Sequence, residues 1–354
     1  MQLEGRIDAF TKLGAFLKRF ASETPEESTS GSDTDSFIQR MPEVLLQAQQ
    51  HNGWFTLPYV RMALKQWSEA LSEDQLKKWV ANYSIRTPKT PKTIGIVMAG
   101  NIPLVGFHDF LCVLLCGHKV LAKLSSNDTI LLPFIASYLH HIDPYFKDVI
   151  QFTENRLTNF DAVIATGSNN TARYFEQYFG KYPNIIRKNR NGVAVLTGTE
   201  SQEDLVKLSD DIFRYFGLGC RNVSKLFVPK DYAFDHFFAA IYEQRDCINH
   251  HKYMNNYDYN KAVYLMGEVA LLDNEFMLLK EDQSIASPIA VMFYECYENL
   301  TELEQKLRDA AEDIQVIVGE GLPFETVSFG NAQAPQLWDY ADGVDTVKFL
   351  LDLD

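Results

Sequence analysis

The sequence predicts an α/β protein built on a parallel sheet. Three observations carry this. The short apolar runs 93–98, 119–123, 149–152 and 162–165 have the length and composition of strands buried on both faces. Helical stretches alternate with them, over about 128–142 and 170–179, the pattern of βαβ units. Small and polar residues follow three of the runs, at the strand ends where open parallel sheets bind ligands.

The elements follow in order. Ile7, Phe10, Leu13, Leu17 and Phe20 recur at helical spacing, which predicts an amphipathic helix over 6–21. Residues 22–36 are polar and low in complexity and are expected to form a mobile loop. Further helices are expected through 37–86, including 59–71 and 73–83. Beyond the alternating region the pattern loosens into helix 201–216, strand 224–228 and helices 232–246 and 255–266. A hairpin of 269–272 with 277–279, strand 289–293, helix 299–312 and strand 315–318 complete it, and the tail 334–354 is irregular. The expected organisation is a helical region 1–90, a parallel-sheet domain 91–198, a second domain 199–330, and a segment 331–354 in an interdomain or oligomer contact.

A chain of 354 residues can bury two sizeable cores. Its 47 acidic and 33 basic residues leave a formal charge of -14, which argues against a general nucleic-acid binder and gives no support for an anionic membrane surface. Five cysteines without regular spacing do not make a disulfide framework and point to a reducing compartment. The start, Met1-Gln2-Leu3-Glu4-Gly5-Arg6, lacks the basic and apolar regions of a signal peptide, and no apolar run reaches membrane-spanning length. The cytoplasm is the expected location.

Cys220 is the leading candidate for chemistry. It lies in Phe216-Gly217-Leu218-Gly219-Cys220-Arg221-Asn222, between a helix and a strand. Glycines at such a turn let the backbone approach a reacting carbonyl, and its N–H groups can face an oxyanion. A lone cysteine is otherwise a small buried hydrophobe. Three strand-end segments precede it: Met98-Ala99-Gly100-Asn101-Ile102-Pro103, Leu121-Ala122-Lys123-Leu124-Ser125-Ser126 and Ala165-Thr166-Gly167-Ser168. Taken singly, Asn101 reads equally as a turn residue, Lys123 as a solvated lysine and Thr166-Gly167-Ser168 as a helix cap.

Asn-x-Pro, Lys-x-Ser-Ser, Thr-Gly-Ser and Gly-x-Gly-Cys in this order resemble the aldehyde dehydrogenase superfamily. Within it the chain is most similar, over roughly 90–354, to the acyl-CoA reductases typified by the LuxC-type fatty-acid reductase. The resemblance implies an aldehyde-dehydrogenase-like fold of two α/β domains, with a Rossmann-like cofactor domain. It implies Cys220 as nucleophile and Asn101 as an oxyanion donor. It places Lys123 at the adenosine ribose and Gly167 with Ser168 at the pyrophosphate. Gly100, Ser125, Ser126 and Thr166 complete the implied cofactor site, and Pro288 marks a nicotinamide-ribose segment in which Ser284 stands near the family's glutamate. A homodimer or homotetramer is the implied assembly.

Two departures refine this. Hydrolysing relatives carry a general-base glutamate ahead of the cysteine, but no carboxylate occurs from Asn184 through Thr199. Without a base, water attacks a thioester slowly. Three residues after Lys123, where NAD-preferring relatives often place glutamate, stands Ser126, which leaves room for a 2′-phosphate. The expectation is an NADPH-dependent reductase that takes an acyl-CoA or related thioester and releases an aldehyde. An ordinary aldehyde dehydrogenase, with Glu200 as base, and a catalytically idle scaffold are the alternatives. Cys112 and Cys116 are expected to pack in a core rather than bind metal. Asp204, Asp210 and Asp211 are expected on a solvated helix face, and His250 with His251 near the acyl or carrier entrance. No metal site is expected.

Overall fold

The computed structural model describes residues 1–22 and 35–353. Most of the stretch expected as a mobile loop lies outside the described residues, and Asp35 and Ser36 already belong to a helix. The chain forms two compact units, Met1–Lys188 with Gln336–Asp354, and Asn189–Pro335.

The first unit opens with α1 (Leu3–Lys18), α2 (Asp35–His51), α3 (Leu57–Ala70) and α4 (Glu73–Val80). The apolar spacing of α1 puts Ile7, Phe10, Leu13 and Leu17 on one buried face. Then come β1 (Thr93–Val97), α5 (Phe107–Leu115), β2 (Lys119–Lys123), α6 (Leu131–Ile142), α7 (Tyr145–Val149), β3 (Ile150–Phe152), β4 (Ala162–Thr166), α8 (Asn169–Phe179) and β5 (Asn184–Arg187). These strands pair in parallel in the order β3-β2-β1-β4-β5. The order reverses between β1 and β4, and such a switch point opens a crevice at the carboxyl ends of the strands.

Phe10 meets Phe107 and Phe146 edge-on at centroid distances of 6.5 and 6.1 Å, so α1 packs on α5 and α7. Cys112 and Cys116 lie fully in this core, and burial pushes the Cys112 thiol well up. The end of β5 is fixed by a buried ion pair of Arg187 with Asp109.

The second unit contains β6 (Asn191–Val195), α9 (Gln202–Phe213), β7 (Val223–Pro229), α10 (Asp235–Ile241), α11 (His251–Met266), β8 (Leu272–Asp273), β9 (Leu278–Glu281), β10 (Val291–Tyr297), α12 (Leu300–Asp309) and β11 (Ile314–Val318). The order is β11-β6-β7-β10-β9-β8. All neighbours are parallel except β8, which returns antiparallel to β9. Val193, Val195, Phe227, Leu303 and Leu307 pack between this sheet and α12.

Ser201 and Asp204 form a reciprocal capping box that starts α9. The expectation of a solvated acidic face fails at Asp211, which is fully buried. Its carboxylate accepts the Gly330 and Ala332 N–H groups at 2.7 and 2.9 Å. Burial pushes this carboxyl up to about 6, against those two bonds.

The chain then re-enters the first unit and ends in α13 (Thr346–Leu351). Trp79 Nε1 donates to the Tyr340 hydroxyl and the Tyr83 hydroxyl to Asp345, both at 2.8 Å. His118 accepts the Lys92 N–H at Nδ1, so its Nε2 donates to the Leu350 carbonyl at 3.1 Å. The irregular apolar spacing of the tail thus conceals a short helix with buried Val347 and Leu350.

Candidate active site and cofactor cradle

In the first unit the switch-point edge gathers the predicted segments. Lys123 ends β2, paired with Val97 of β1, and Thr166 ends β4, paired with Arg187 of β5. Met98 N–H donates to the Lys123 carbonyl at 3.0 Å, so the turn bearing Gly100 and Asn101 leaves β1 alongside the end of β2. A side chain at Gly100 would stand 2.5 Å from Ser125 Cβ, so only glycine lets these two turns touch. Ser125 Oγ accepts the Asn127 N–H at 3.2 Å. His51, at the end of α2, donates to the Ser126 carbonyl at 2.7 Å, and Ser126 itself is exposed. Ser168 is the N-cap of α8, accepting from Thr171 N–H at 3.3 Å, with Gly167 immediately before it. The cradle therefore has small exposed residues, a cation and a capped helix N-terminus at one sheet edge.

The second unit holds Cys220 just ahead of β7, half-buried and outside any disulfide. The approach is strained: Tyr215 and Phe216 have φ of 52° and 56°, left-handed values that each cost an aromatic residue about 1–2 kcal/mol. Gly217 continues the run at 76°. Packing holds it in place. Phe216 is buried and packs on the His250 ring at a centroid distance of 4.3 Å, which sets that histidine against the turn.

Asn222 does the rest. Its Nδ2 donates to the carbonyls of Asp211, Ile212 and Arg214, at 3.0, 3.2 and 2.9 Å, closing the end of α9. Its Oδ1 accepts the Gly219 N–H at 2.7 Å. A side chain at Gly219 would meet that oxygen at 2.8 Å, which is why glycine precedes the cysteine. Arg221 Nε donates to the Ala332 carbonyl, so the segment held by Asp211 also braces the turn. Asn222, Arg221 and Asp211 were not singled out for this role from sequence. The available signal was a polar pair wedged between Gly-Cys and an apolar strand.

Pro288 lies in the same unit, lining with Phe216, Gly217, Tyr253 and Ser287 a cavity of about 30 Å³, room for one water. The segment ahead of it is pinned to β7 by Ser224 Oγ on the Ile285 carbonyl and Lys225 Nζ on the Gln283 carbonyl, at 2.8 and 2.9 Å. A larger hollow of about 220 Å³, lined by Thr93, Lys119, Lys147 and Gln151, sits at the opposite, amino-terminal edge of the first sheet.

Neither the stretch leading into β6 nor Glu200 is arranged as a base for water at Cys220. The residues leading into β6 run beside the cysteine turn, since Gly192 N–H donates to the Asn222 carbonyl at 2.9 Å, and Asn189, Arg190 and Asn191 carry no acid. Glu200 follows the other end of β6. With Gly192 opposite Val223 and Val195 opposite Phe227, the two sheet edges are roughly 10 Å apart along the strands. Glu200 is also occupied, accepting from Thr197 N–H, Thr197 Oγ1 and Gly198 N–H at 2.5, 2.8 and 3.0 Å. Both Asp211 oxygens are bound to backbone. Among the described residues no cluster of three or more metal-ligating side chains occurs, and no helix is long and apolar enough to cross a membrane.

The family model described as acyl-CoA reductase (LuxC) matches residues 60–249. No curated protein matches the chain. Among solved structures, aldehyde dehydrogenase 21 from Physcomitrella patens, in complex with the reaction product succinate, is similar at 14% identity and a TM-score of 0.65, over 98% of this chain and 87% of that one. A mutant of aldehyde dehydrogenase C from Pseudomonas syringae, complexed with NAD+ and octanal, matches at 12% identity and a TM-score of 0.57, over 92% and 81%. An NAD-dependent benzaldehyde dehydrogenase from Corynebacterium glutamicum matches at 12% and 0.59, over 90% and 78%. At these identities the likeness establishes the aldehyde-dehydrogenase-like fold.

Proposed function

The chain belongs to the acyl-CoA reductase (LuxC) family, and from that membership we propose that it reduces an acyl-CoA to an aldehyde with NADPH, through a thioester on Cys220. The observation that carries the choice of reaction is the braced Cys220 turn beside a stretch, Asn184–Thr199, that holds no carboxylate. Cys220 thiolate attacks the acyl carbonyl, and its own N–H with the Asn101 amide receives the oxyanion. The tetrahedral adduct collapses, the CoA thiolate leaves, and the acyl group stays on sulfur. The cradle residues would hold NADPH, whose chemistry when bound would be hydride donation to that carbonyl. When the reduced adduct collapses, the oxyanion charge on Asn101 is released and Cys220 is regenerated as thiolate.

The residues present fit such a cofactor. The Gly100–Ser125 approach leaves a cradle without side-chain bulk, and the capped α8 N-terminus suits a pyrophosphate. Lys123 serves the adenosine ribose and Thr166 with Gly167 the approach to α8. In the second unit, Pro288 is assigned to the nicotinamide end. A reducing compartment, the cytoplasm, suits a Cys220 that is in no disulfide, and a homodimer or homotetramer is the expected assembly.

The test is intact-mass spectrometry of the protein with acyl-CoA and no reduced cofactor. One acyl adduct per chain should form, persist, and disappear as aldehyde when NADPH is added. Rapid release of free acid instead would restore the ordinary aldehyde dehydrogenase reading.

NADPH is preferred because Lys123 with exposed Ser126 presents positive charge and no carboxylate at the 2′ position. Ser126→Glu should cut the NADPH-over-NADH ratio of kcat/KM by about tenfold or more, since like charges brought together cost several kcal/mol. Unchanged discrimination would place the adenosine ribose elsewhere.

A further inference from the structure

We propose that Asp128 is a positioning residue, which locks the turn carrying Asn101 by accepting the backbone N–H of Leu104. The inference rests on the reading above, in which Asn101 is an oxyanion donor.

Asp128 belongs to the connection between β2 and α6, yet its side chain reaches across to the turn between β1 and α5. Its Oδ2 accepts Leu104 N–H at 3.0 Å. Leu104 is buried and has φ of 58°, a left-handed conformation that a leucine holds only when its surroundings impose it. The Leu104 carbonyl in turn accepts Phe107 N–H at 3.0 Å, which launches α5. On the other side of Asn101, Gly100 is pressed against the same connection: its missing Cβ would sit 2.5 Å from Ser125 Cβ and 3.3 Å from the Asp128 nitrogen. The segment Asn101–Pro103 is therefore held at both ends by one neighbouring turn. Asp128 supplies the hold at the far end.

The chemistry of the group supports this use. Asp128 is 8% exposed and its Oδ1 has no hydrogen-bond partner among the described residues. Burial pushes its carboxyl up to about 6, and the N–H groups of Leu104 and Leu131 with nearby His51 only partly oppose that. Keeping a carboxylate there costs folding free energy. The return is an acceptor for a buried, strained backbone N–H that would otherwise go unpaired.

Two full-length variants test the assignment. Asp128→Ala removes the acceptor, and Asp128→Asn keeps an oxygen in the same place. Hydrogen exchange read by mass spectrometry on the peptide spanning 101–106 should quicken about tenfold or more in the alanine variant and stay near wild type in the asparagine variant. Single-turnover acyl capture by Cys220 should fall about a hundredfold in Asp128→Ala, the scale of a misplaced oxyanion donor, and recover most of that in Asp128→Asn. NADPH affinity and half-saturating acyl-CoA should hardly move in either. Should the alanine chain not fold, Asp128→Thr, whose side chain is shorter but still polar, takes its place with the same expected readings. Unchanged exchange in the variant lacking the acceptor would overturn the proposal, and so would faster exchange with wild-type acyl capture. If the wild-type protein captures no acyl group, the functional reading falls, and the exchange measurement alone decides whether Asp128 locks the turn.

Discussion

Cys220→Ala should abolish acyl capture and aldehyde formation, with a loss of at least about ten-thousandfold, the scale seen when a covalent nucleophile is removed. Folding should survive the change. The backbone bonds of the turn are made by Gly219, Asn222 and Arg221, none of which needs the sulfur. NADPH binding should be largely retained, since the Cys220 sulfur is not among the groups assigned to the cofactor. The rival thiols are poor substitutes. Burial pushes Cys247 up to about 12 and Cys112 well above its ordinary value. Cys296 is exposed on β10, but burial and then the carboxylates of Glu281, Asp231 and Glu295 also push its thiol up. A thiolate is disfavoured at each. The measurement is adduct mass with acyl-CoA together with aldehyde yield. An adduct or aldehyde at wild-type level in the variant would place the nucleophile elsewhere.

Asn222→Ala should have the second-largest effect, on stability and turnover together. The side chain is 1% exposed and connects the end of α9 to the Gly219 N–H through four contacts. Truncation strands buried carbonyls and one buried N–H, which points to a loss of about 3 kcal/mol. It also frees Gly219 and relaxes the left-handed run that aims Cys220, so acyl capture should fall about a hundredfold even where the chain is folded. Asn222→Asp keeps the acceptor for Gly219 but sets a carboxylate against three carbonyls, so its stability loss should be at least as large. Urea denaturation with single-turnover capture reads both effects. A stability change under about 1 kcal/mol would mean that water replaces these bonds without cost.

Much of the scaffold was legible because it follows local rules. The run 119–123 is a strand because Val120, Leu121 and Ala122 are buried between helices, and composition alone says so. Ser168 caps α8 and Ser201 caps α9 because their side chains reach the N–H three residues on. The candidate residues were legible as types at strand ends, and the structure sets Gly100 against Ser125 and lines one small cavity with Pro288 and Gly217. What sequence reading missed was the bracing. Asp211 has the pattern of a surface acid, four residues before Tyr215, yet it is buried because two backbone N–H groups more than a hundred residues away need an acceptor.

By itself the sequence determined the alternation of strands and helices, the parallel sheets, and a lone cysteine set between glycine and strand. These depend on periodicity, caps and turn chemistry, which act within a few residues. Only the tertiary structure decided the rest. Whether Asn191–Val195 joins the sheet of β1 or that of β7 is a choice between two apolar edges, and pairing with β7 and β11 settles it. Tyr215, Phe216 and Leu104 take left-handed conformations that their own chemistry opposes. Distant groups hold two of them there: His250 packs on Phe216, and the Asp128 carboxylate binds Leu104. Glu200 and Cys220 stand at opposite edges of the second sheet because parallel strands put the end of β6 and the start of β7 there, a fact that no spacing in the chain records.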